Sequence, residues 1–292
     1  MTVQLGIFFA LLCALATNLG FLCKYRGACS APEVDWRHPL SSAAGLWRQR
    51  WFAVGMIVAT VAWLLHVASM SLAPLSIVQA VIAGGLVFLT VLAERFFGFR
   101  LGRRQWCGVG LTSLGLALLA VTLPHSQGAH SGYSLAGMVA FEAGLLAVGT
   151  LLVLSPRFGA QHEHHGVVLG AAAGILFGVS DVAIKALSGA IGHQGVIALV
   201  SPWFLTCVAA SIVAFYASAR GFQKGEAVPV ITVTSAAANV SAIVGGIVVF
   251  GDPLAHDPLG LVLESLAFVL VVVAAWLTPA PLRAAGASAQ AA

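Results

Sequence analysis

The sequence predicts an all-α, polytopic membrane helix bundle of about nine transmembrane helices. Of its 292 residues, 60% are hydrophobic and 8% charged, whereas a soluble domain carries about 25% charged residues. The apolar residues fall in blocks of roughly twenty, the length that crosses a hydrocarbon core of about 30 Å. The blocks are continuous and lack the two-residue alternation of a barrel strand. In lipid every backbone N–H and C=O must find a partner within the protein, so such blocks become helices.

Taken in order, spans are expected at 2–23, 51–70, 75–94, 105–123, 135–154, 166–187, 197–219, 229–250 and 258–277. The first lacks a basic leader and a small-residue cleavage site, and ends in Lys24-Tyr25-Arg26, so it reads as a retained helix. Residues 24–50 form the one long polar stretch, with a short interfacial helix expected near Leu46 to Trp51. Pro74 opens the third span, Pro124 and Pro156 follow the fourth and fifth, and Pro253 with Pro258 brackets the last turn. The cysteines Cys13, Cys23, Cys29, Cys107 and Cys207 have no CxxC spacing and read as packing residues.

The loops after the odd-numbered spans hold Lys24, Arg26, Arg37, Arg48, Arg50, Arg95, Arg100, Arg103, Arg104, Arg157, Arg220 and Lys224. The loops after even-numbered spans hold none, apart from Lys185 near the end of the sixth. This asymmetry places the N-terminus outside and the C-terminal tail, with Arg283, in the cytoplasm. The expected location is the plasma (inner) membrane, with the lipid bilayer as the main partner. The net charge of +4 is accounted for by insertion and gives no reason to expect nucleic acid. Composition does not decide whether the chain forms a homodimer.

The chain also looks duplicated. Gly6 to Lys24 reads like Gly166 to Lys185, small-residue-rich spans that end in lysine with Asn18 or Asp181 just before it. The expected organisation is a first transmembrane repeat over 1–123, a linker helix with loops over 124–165, a second repeat over 166–277 and a disordered cytoplasmic tail over 278–292. A linker helix would invert the second copy, and inverted repeats mark secondary transporters with a site near mid-membrane. Hydrophobic segments also resemble one another by composition alone.

The run Ser71-Leu72-Ala73-Pro74-Leu75-Ser76-Ile77-Val78-Gln79, with Leu92-Ala93-Glu94-Arg95 and Gln105-Trp106-Cys107-Gly108-Val109-Gly110-Leu111, resembles the EamA-type repeat of the drug/metabolite transporter superfamily. Gly225-Glu226-Ala227-Val228-Pro229-Val230, Asn239-Val240 and Val249-Phe250-Gly251-Asp252-Pro253-Leu254 add to the likeness. The layout is similar to the branch of NIPA-like magnesium transporters, and the resemblance covers about residues 2–277. It implies the fold and a transport function, and says little of the substrate. Ten-helix members begin inside, whereas this chain lacks one helix of the first half. Asp252-Pro253 stands where the first half has Glu94-Arg95, so those acids need not share a role.

Ionisable groups in hydrocarbon cost roughly 2.5–3.5 kcal/mol on insertion scales and usually face a bundle interior or a watery cavity. Glu142, Asp181, Lys185 and Glu264 fall in spans five, six, six and nine, all in the outer half. Asp181 and Lys185, four apart, share a helical face. They form an internal salt bridge, or Asp181 exchanges Lys185 for a substrate cation or proton, or Lys185 snorkels and leaves Asp181 open. Glu142 and Glu264 have no Lys or Arg within a turn. Each is either a protonated, hydrogen-bonded carboxyl or a proton-coupling group.

Span eight carries Thr232, Thr234, Ser235, Asn239 and Ser241, then Gly245-Gly246. Small and hydroxylated residues suit close helix packing, whereas the amide of Asn239 suits a pathway. Asn18 and Gln79 are candidates in the first half, and His66 is either a proton relay or a satisfied histidine. Gly84-Gly85, Gly174 and Gly178 suit close packing or bending. His162-Glu163-His164-His165 is metal-capable but lacks ligand spacing.

No cofactor is expected. There is no GxxxxGK[ST], G-x-S-x-G or H-E-x-x-H motif, so neither an ATP-driven pump nor an enzyme is expected. The leading expectation is a secondary transporter of a small solute or cation by alternating access, with spans 1, 3, 6 and 8 lining the site. If the cargo is Mg²⁺, Glu142 and Asp181 would supply oxygen ligands. If it is an organic metabolite, Trp63 and other apolar pathway residues matter more. The rival is a non-transporting scaffold or lipid-processing protein, for which Asp252, His256 and Asp257 form an interfacial cluster.

Overall fold

A computed structural model describes residues 2–72, 81–82, 85–98, 102–122, 133–154, 164–251 and 258–277. Among these residues every regular element is a helix, as expected. The α-helices are α1 (Thr2–Ser30), α2 (Pro39–Trp47), α3 (Arg50–Leu72), α4 (Leu86–Phe97), α5 (Arg103–Thr122), α6 (Leu135–Leu154), α7 (His165–Gln194), α8 (Pro202–Lys224), α9 (Ala227–Phe250) and α10 (Pro258–Leu277). Five described helices are long and apolar enough to cross a membrane, namely α1, α6, α7, α8 and α9, with shorter apolar stretches in α3 and α10.

Several boundaries differ from those expected, for local reasons. Helix α1 runs two turns past residue 23, because Lys24, Tyr25 and Arg26 are compatible with helix and the first strong stop is Pro32. The short polar-segment helix falls at Pro39–Trp47, earlier than expected, with proline in its first turn. Gly195, in the left-handed region at φ 64°, follows the end of α7, and a 3-10 turn over Gly195–Val200 precedes Pro202 at the start of α8.

Three helix pairs form the densest contacts: α1 with α3, α7 with α8, and α7 with α9. The first and the last depend on glycine. A Cβ at Gly27 would lie 2.3 Å from the Phe52 backbone N, and one at Gly174 would lie 2.3 Å from the Thr234 carbonyl oxygen. The Thr234 hydroxyl also sits 3.0 Å from the Gly170 carbonyl oxygen across the α7–α9 seam. Gly174, Gly178 and Thr234 are therefore packing residues, one of the two expectations raised for them. Helix α10 packs chiefly on α5, joining the last helices of the first and second halves.

The outer surface is oily. Ile57, Trp63, Leu205 and Val248 are each 60% or more exposed, as suits a protein whose solvent is lipid. All five cysteines are free; Cys13 and Cys23 are buried, whereas Cys29 and Cys107 are exposed.

The apolar core is uneven along the bundle axis. Its largest cluster joins both halves: Leu22, Phe52, Leu89, Leu92 and Val109 meet Ala219, Phe222, Val228 and Ile231. These residues lie toward the ends of α1 and α8, in the first half and middle of α4, and at the starts of α3, α5 and α9, on the side of the bundle that carries Arg26, Arg50, Arg95, Arg103, Arg220 and Lys224. Toward the opposite end, Met138, Val182, Ala186, Trp203, Val249 and Phe250 form a cluster of second-half residues alone. Ala10 with Val81 and Ile82 forms one of first-half residues alone. Of these three clusters the one at the basic end joins the halves; they also meet where α10 packs on α5.

Candidate functional site

The basic end is closed by polar contacts as well as apolar ones. The segment between α1 and α2 lies along the end of α8. The Gln223 amide nitrogen donates to the carbonyls of Ala28 at 3.0 Å and Pro32 at 2.9 Å, and its oxygen accepts from the Val34 N–H at 2.9 Å. The Cys29 thiol donates to the Phe222 carbonyl at 3.3 Å, and the Tyr216 hydroxyl donates to the Pro39 carbonyl at 2.8 Å. Glu33 accepts from both Arg220 and Lys224. The Lys224 contact, then the nearby Arg220 charge, hold the Glu33 carboxyl below its ordinary value of 4.5. Phe222 meets Phe21 and Tyr25 edge to face. Nothing in the local sequence of residues 28–39 announces these contacts, which span 177 to 195 residues.

The acids lie farther toward the opposite end. Asp181 is exposed although its neighbours Ser180, Val182 and Ala183 on α7 are buried. Asp181 is thus an exposed acid on the candidate span with the largest buried share. No hydrogen bond or ion pair to Asp181 is found among the described residues, and of the three readings for the pair the salt bridge is not seen there. The Lys185 ammonium lies 4.4 Å over the Phe250 ring.

Glu142 is 4% exposed, on the stripe of α6 that also buries Met138 and Gly149. One of its carboxyl oxygens is fully buried without a hydrogen-bond partner. The side chains of Phe141 and Val182 both approach Gly245, so Glu142 and Asp181, their sequence neighbours, lie at the same depth. They do not point at each other. Leu176 faces α6 through Gly149, and five residues at about 100° each put Asp181 about 140° farther around α7. A single ion held directly by both carboxylates does not fit this arrangement. Among the described residues no three His, Cys, Asp or Glu side chains converge on a metal position.

The other candidates separate further. Glu264 is 3% exposed on α10, which packs on α5 and α9 and not along the α6–α7 seam. Asn239, half-buried on α9, donates to the Ser235 carbonyl of its own helix at 2.8 Å. Asn18 is buried and donates to the Ala14 carbonyl at 2.8 Å and to the Gly85 carbonyl at 2.9 Å, tying α1 to the start of α4. Gln79, Gly84, His162, Glu163, Asp252, His256 and Asp257 lie outside the described residues, as does the tail over 278–292.

Several cations counted with the loops lie in helices, and Lys24 is the one turned into the bundle. It belongs to α1, with its stem against Gly55 of α3 and its ammonium 4.2 Å over the Phe21 ring. With Ser218, Phe52, Phe177, Phe215 and Phe222 it lines a small cavity where the two halves meet.

These features define a multi-pass membrane helix bundle with internal polar groups between two packed halves. No family model matches the chain, and no solved structure matches it. The probable magnesium transporter NIPA9 of Arabidopsis thaliana is 25% identical over 285 residues, 92% of this chain and 80% of that protein. An uncharacterised protein of Corynebacterium glutamicum is 26% identical over 255 residues, 85% of each chain. The probable 4-amino-4-deoxy-L-arabinose-phosphoundecaprenol flippase subunit ArnE of Yersinia pestis is 26% identical over 110 residues, 38% of this chain and 91% of that subunit. These homologues bear out the likeness to the drug/metabolite transporter superfamily, near its NIPA-like branch.

Proposed function

We propose that the protein is a secondary transporter that moves a small solute or cation by alternating access, and that its basic end is the cytoplasmic side and is closed in this structure. The observation that carries this is the uneven core: the apolar cluster that joins the halves lies at the basic end, away from it they meet where α10 packs on α5, and Asp181 is exposed on α7 toward the opposite end. The positive-inside rule supports the basic end as cytoplasmic, with the N-terminus outside. Contacts support the repeat as well, since α1 packs on α3 as α7 packs on α8, and the last helices of the halves pack on each other.

Asp181 is the residue proposed to meet cargo from the outer side. Glu142, buried at the same depth on the far side of α7, is proposed to gain and lose a proton as the halves rock. The name of the Arabidopsis relative favours Mg²⁺ as cargo. Asp181 alone would then give one or two oxygens, and Mg²⁺ commonly retains several waters.

Purified protein in liposomes tests the proposal. Flux driven by an imposed ion gradient, for a panel of divalent cations and small metabolites, should fall to background in Asp181→Asn. A folded Asp181→Asn variant with wild-type flux for its cargo would remove Asp181 from the pathway. Flux of metabolites but not Mg²⁺ would remove the magnesium version.

A further inference from the structure

Lys24 is a cation that the transport reading does not use. It sits where α1 and α3 of the first half meet α7 and α8 of the second, and no hydrogen bond or ion pair to its ammonium is found among the described residues. Glu33, at the same end, is engaged by Arg220 and Lys224. The Phe21 ring covers one side of the ammonium, which offsets part of the cost of taking a charge out of water. The remainder calls for a counter-charge or a hydrogen-bond acceptor.

The cavity beside Lys24 has that character. Its walls are Phe52, Phe177, Phe215, Phe222 and Ala219, and Ser218 is the one hydroxyl among them. Ser218 is 6% exposed, and no hydrogen bond of its hydroxyl is found among the described residues. One ammonium and one hydroxyl both donate, no carboxylate lines the space, and the edges of phenyl rings carry partial positive charge. The volume is about 20 Å³, where a water-sized particle needs at least about 10–15 Å³.

We infer that this cavity is a binding site for a small anion held by the Lys24 ammonium and the Ser218 hydroxyl, either a chloride-sized inorganic ion or the carboxylate end of a small solute. Because Lys24 lies on the first half and Ser218 on the second, the bound anion would join the halves at the closed end. It would therefore favour the state seen here over one open to the cytoplasm.

The test needs no flux, so its failure is distinct from failure of the transport proposal. Full-length protein in detergent, kept in sodium methanesulfonate at constant ionic strength so that the background anion is not a carboxylate, is titrated with sodium chloride and separately with sodium formate while its melting temperature is followed. A saturable rise is expected, because a ligand that binds only the folded protein stabilises it. A response to chloride assigns an inorganic ion, and a response to formate alone assigns a carboxylate. Lys24→Met should abolish the rise. Ser218→Ala, a smaller change that serves if Lys24→Met does not fold, should raise the half-saturating concentration roughly tenfold, the worth of one hydrogen bond to a charged group. No rise with either anion, or a rise unchanged in both variants, overturns the site.

Discussion

If the segment after α1 holds the cytoplasmic side shut, Gln223 is its most concentrated point. Gln223→Ala removes three hydrogen bonds between the halves at once, those to Ala28, Pro32 and Val34. A hydrogen bond contributes about 0.5–1.5 kcal/mol net. The Pro32 contact is exposed, so water replaces much of it. That leaves about 2 kcal/mol favouring the closed state. Since these bonds cannot persist once the halves part at this end, the whole amount bears on the closed-to-open ratio, a change of roughly 30-fold. Ser218→Cys, nearly isosteric and buried between the halves, reports opening in a background where the five native cysteines are replaced. Its labelling from the cytoplasmic face should be slow, and should rise roughly 30-fold when Gln223→Ala is added. A folded double variant whose labelling rate stays within a factor of about three would refute the claim that this segment holds the halves together.

Three further outcomes follow from the same geometry. The Glu33 carboxyl is held below 4.5 by Lys224 and Arg220, so its contribution to closure is present at neutral pH and is lost as pH falls through its lowered value in the closed state. Ser218→Cys labelling in the cysteine-replaced background should accordingly rise on strong acidification, and less when Glu33→Gln is added, measured with a reagent whose rate is first corrected for pH. Gly174→Ala places a methyl 2.3 Å from a backbone oxygen of α9, so the helices must separate; a loss of about 1–3 kcal/mol is expected, read as a lower melting temperature, and an unchanged one would contradict the close α7–α9 packing. Glu142→Gln removes a buried carboxyl that makes no hydrogen bond among the described residues, so the melting temperature should hold or rise while gradient-driven flux is lost; retained flux would leave Glu142 without a coupling role.

Class, environment and end-to-end polarity were legible in the chain itself. Twenty-residue apolar blocks leave the backbone no choice but helix in lipid, and the same count of charges that flagged Asp181 and Glu142 as costly also picked out the basic end. Local punctuation was legible in part: Pro258 opens the last helix as expected, whereas the first helix and the one closed before Gly195 each run seven residues past the expected ends at 23 and 187. Side-chain partners were not. Asp181 and Lys185 have the spacing of an ion pair, yet no ion pair to Asp181 is found among the described residues, and the Lys185 ammonium lies over the Phe250 ring. Asn18 reads as a pathway amide and turns out to tie α1 to Gly85. Lys24 counts as a loop charge and is a bundle residue, and Gln223 and Glu33 carry no signal at all. Periodicity and hydropathy act along one segment and are written in it; which faces meet, and hence which half of the bundle closes, depends on contacts between residues nearly two hundred positions apart, and those exist only once the helices have packed.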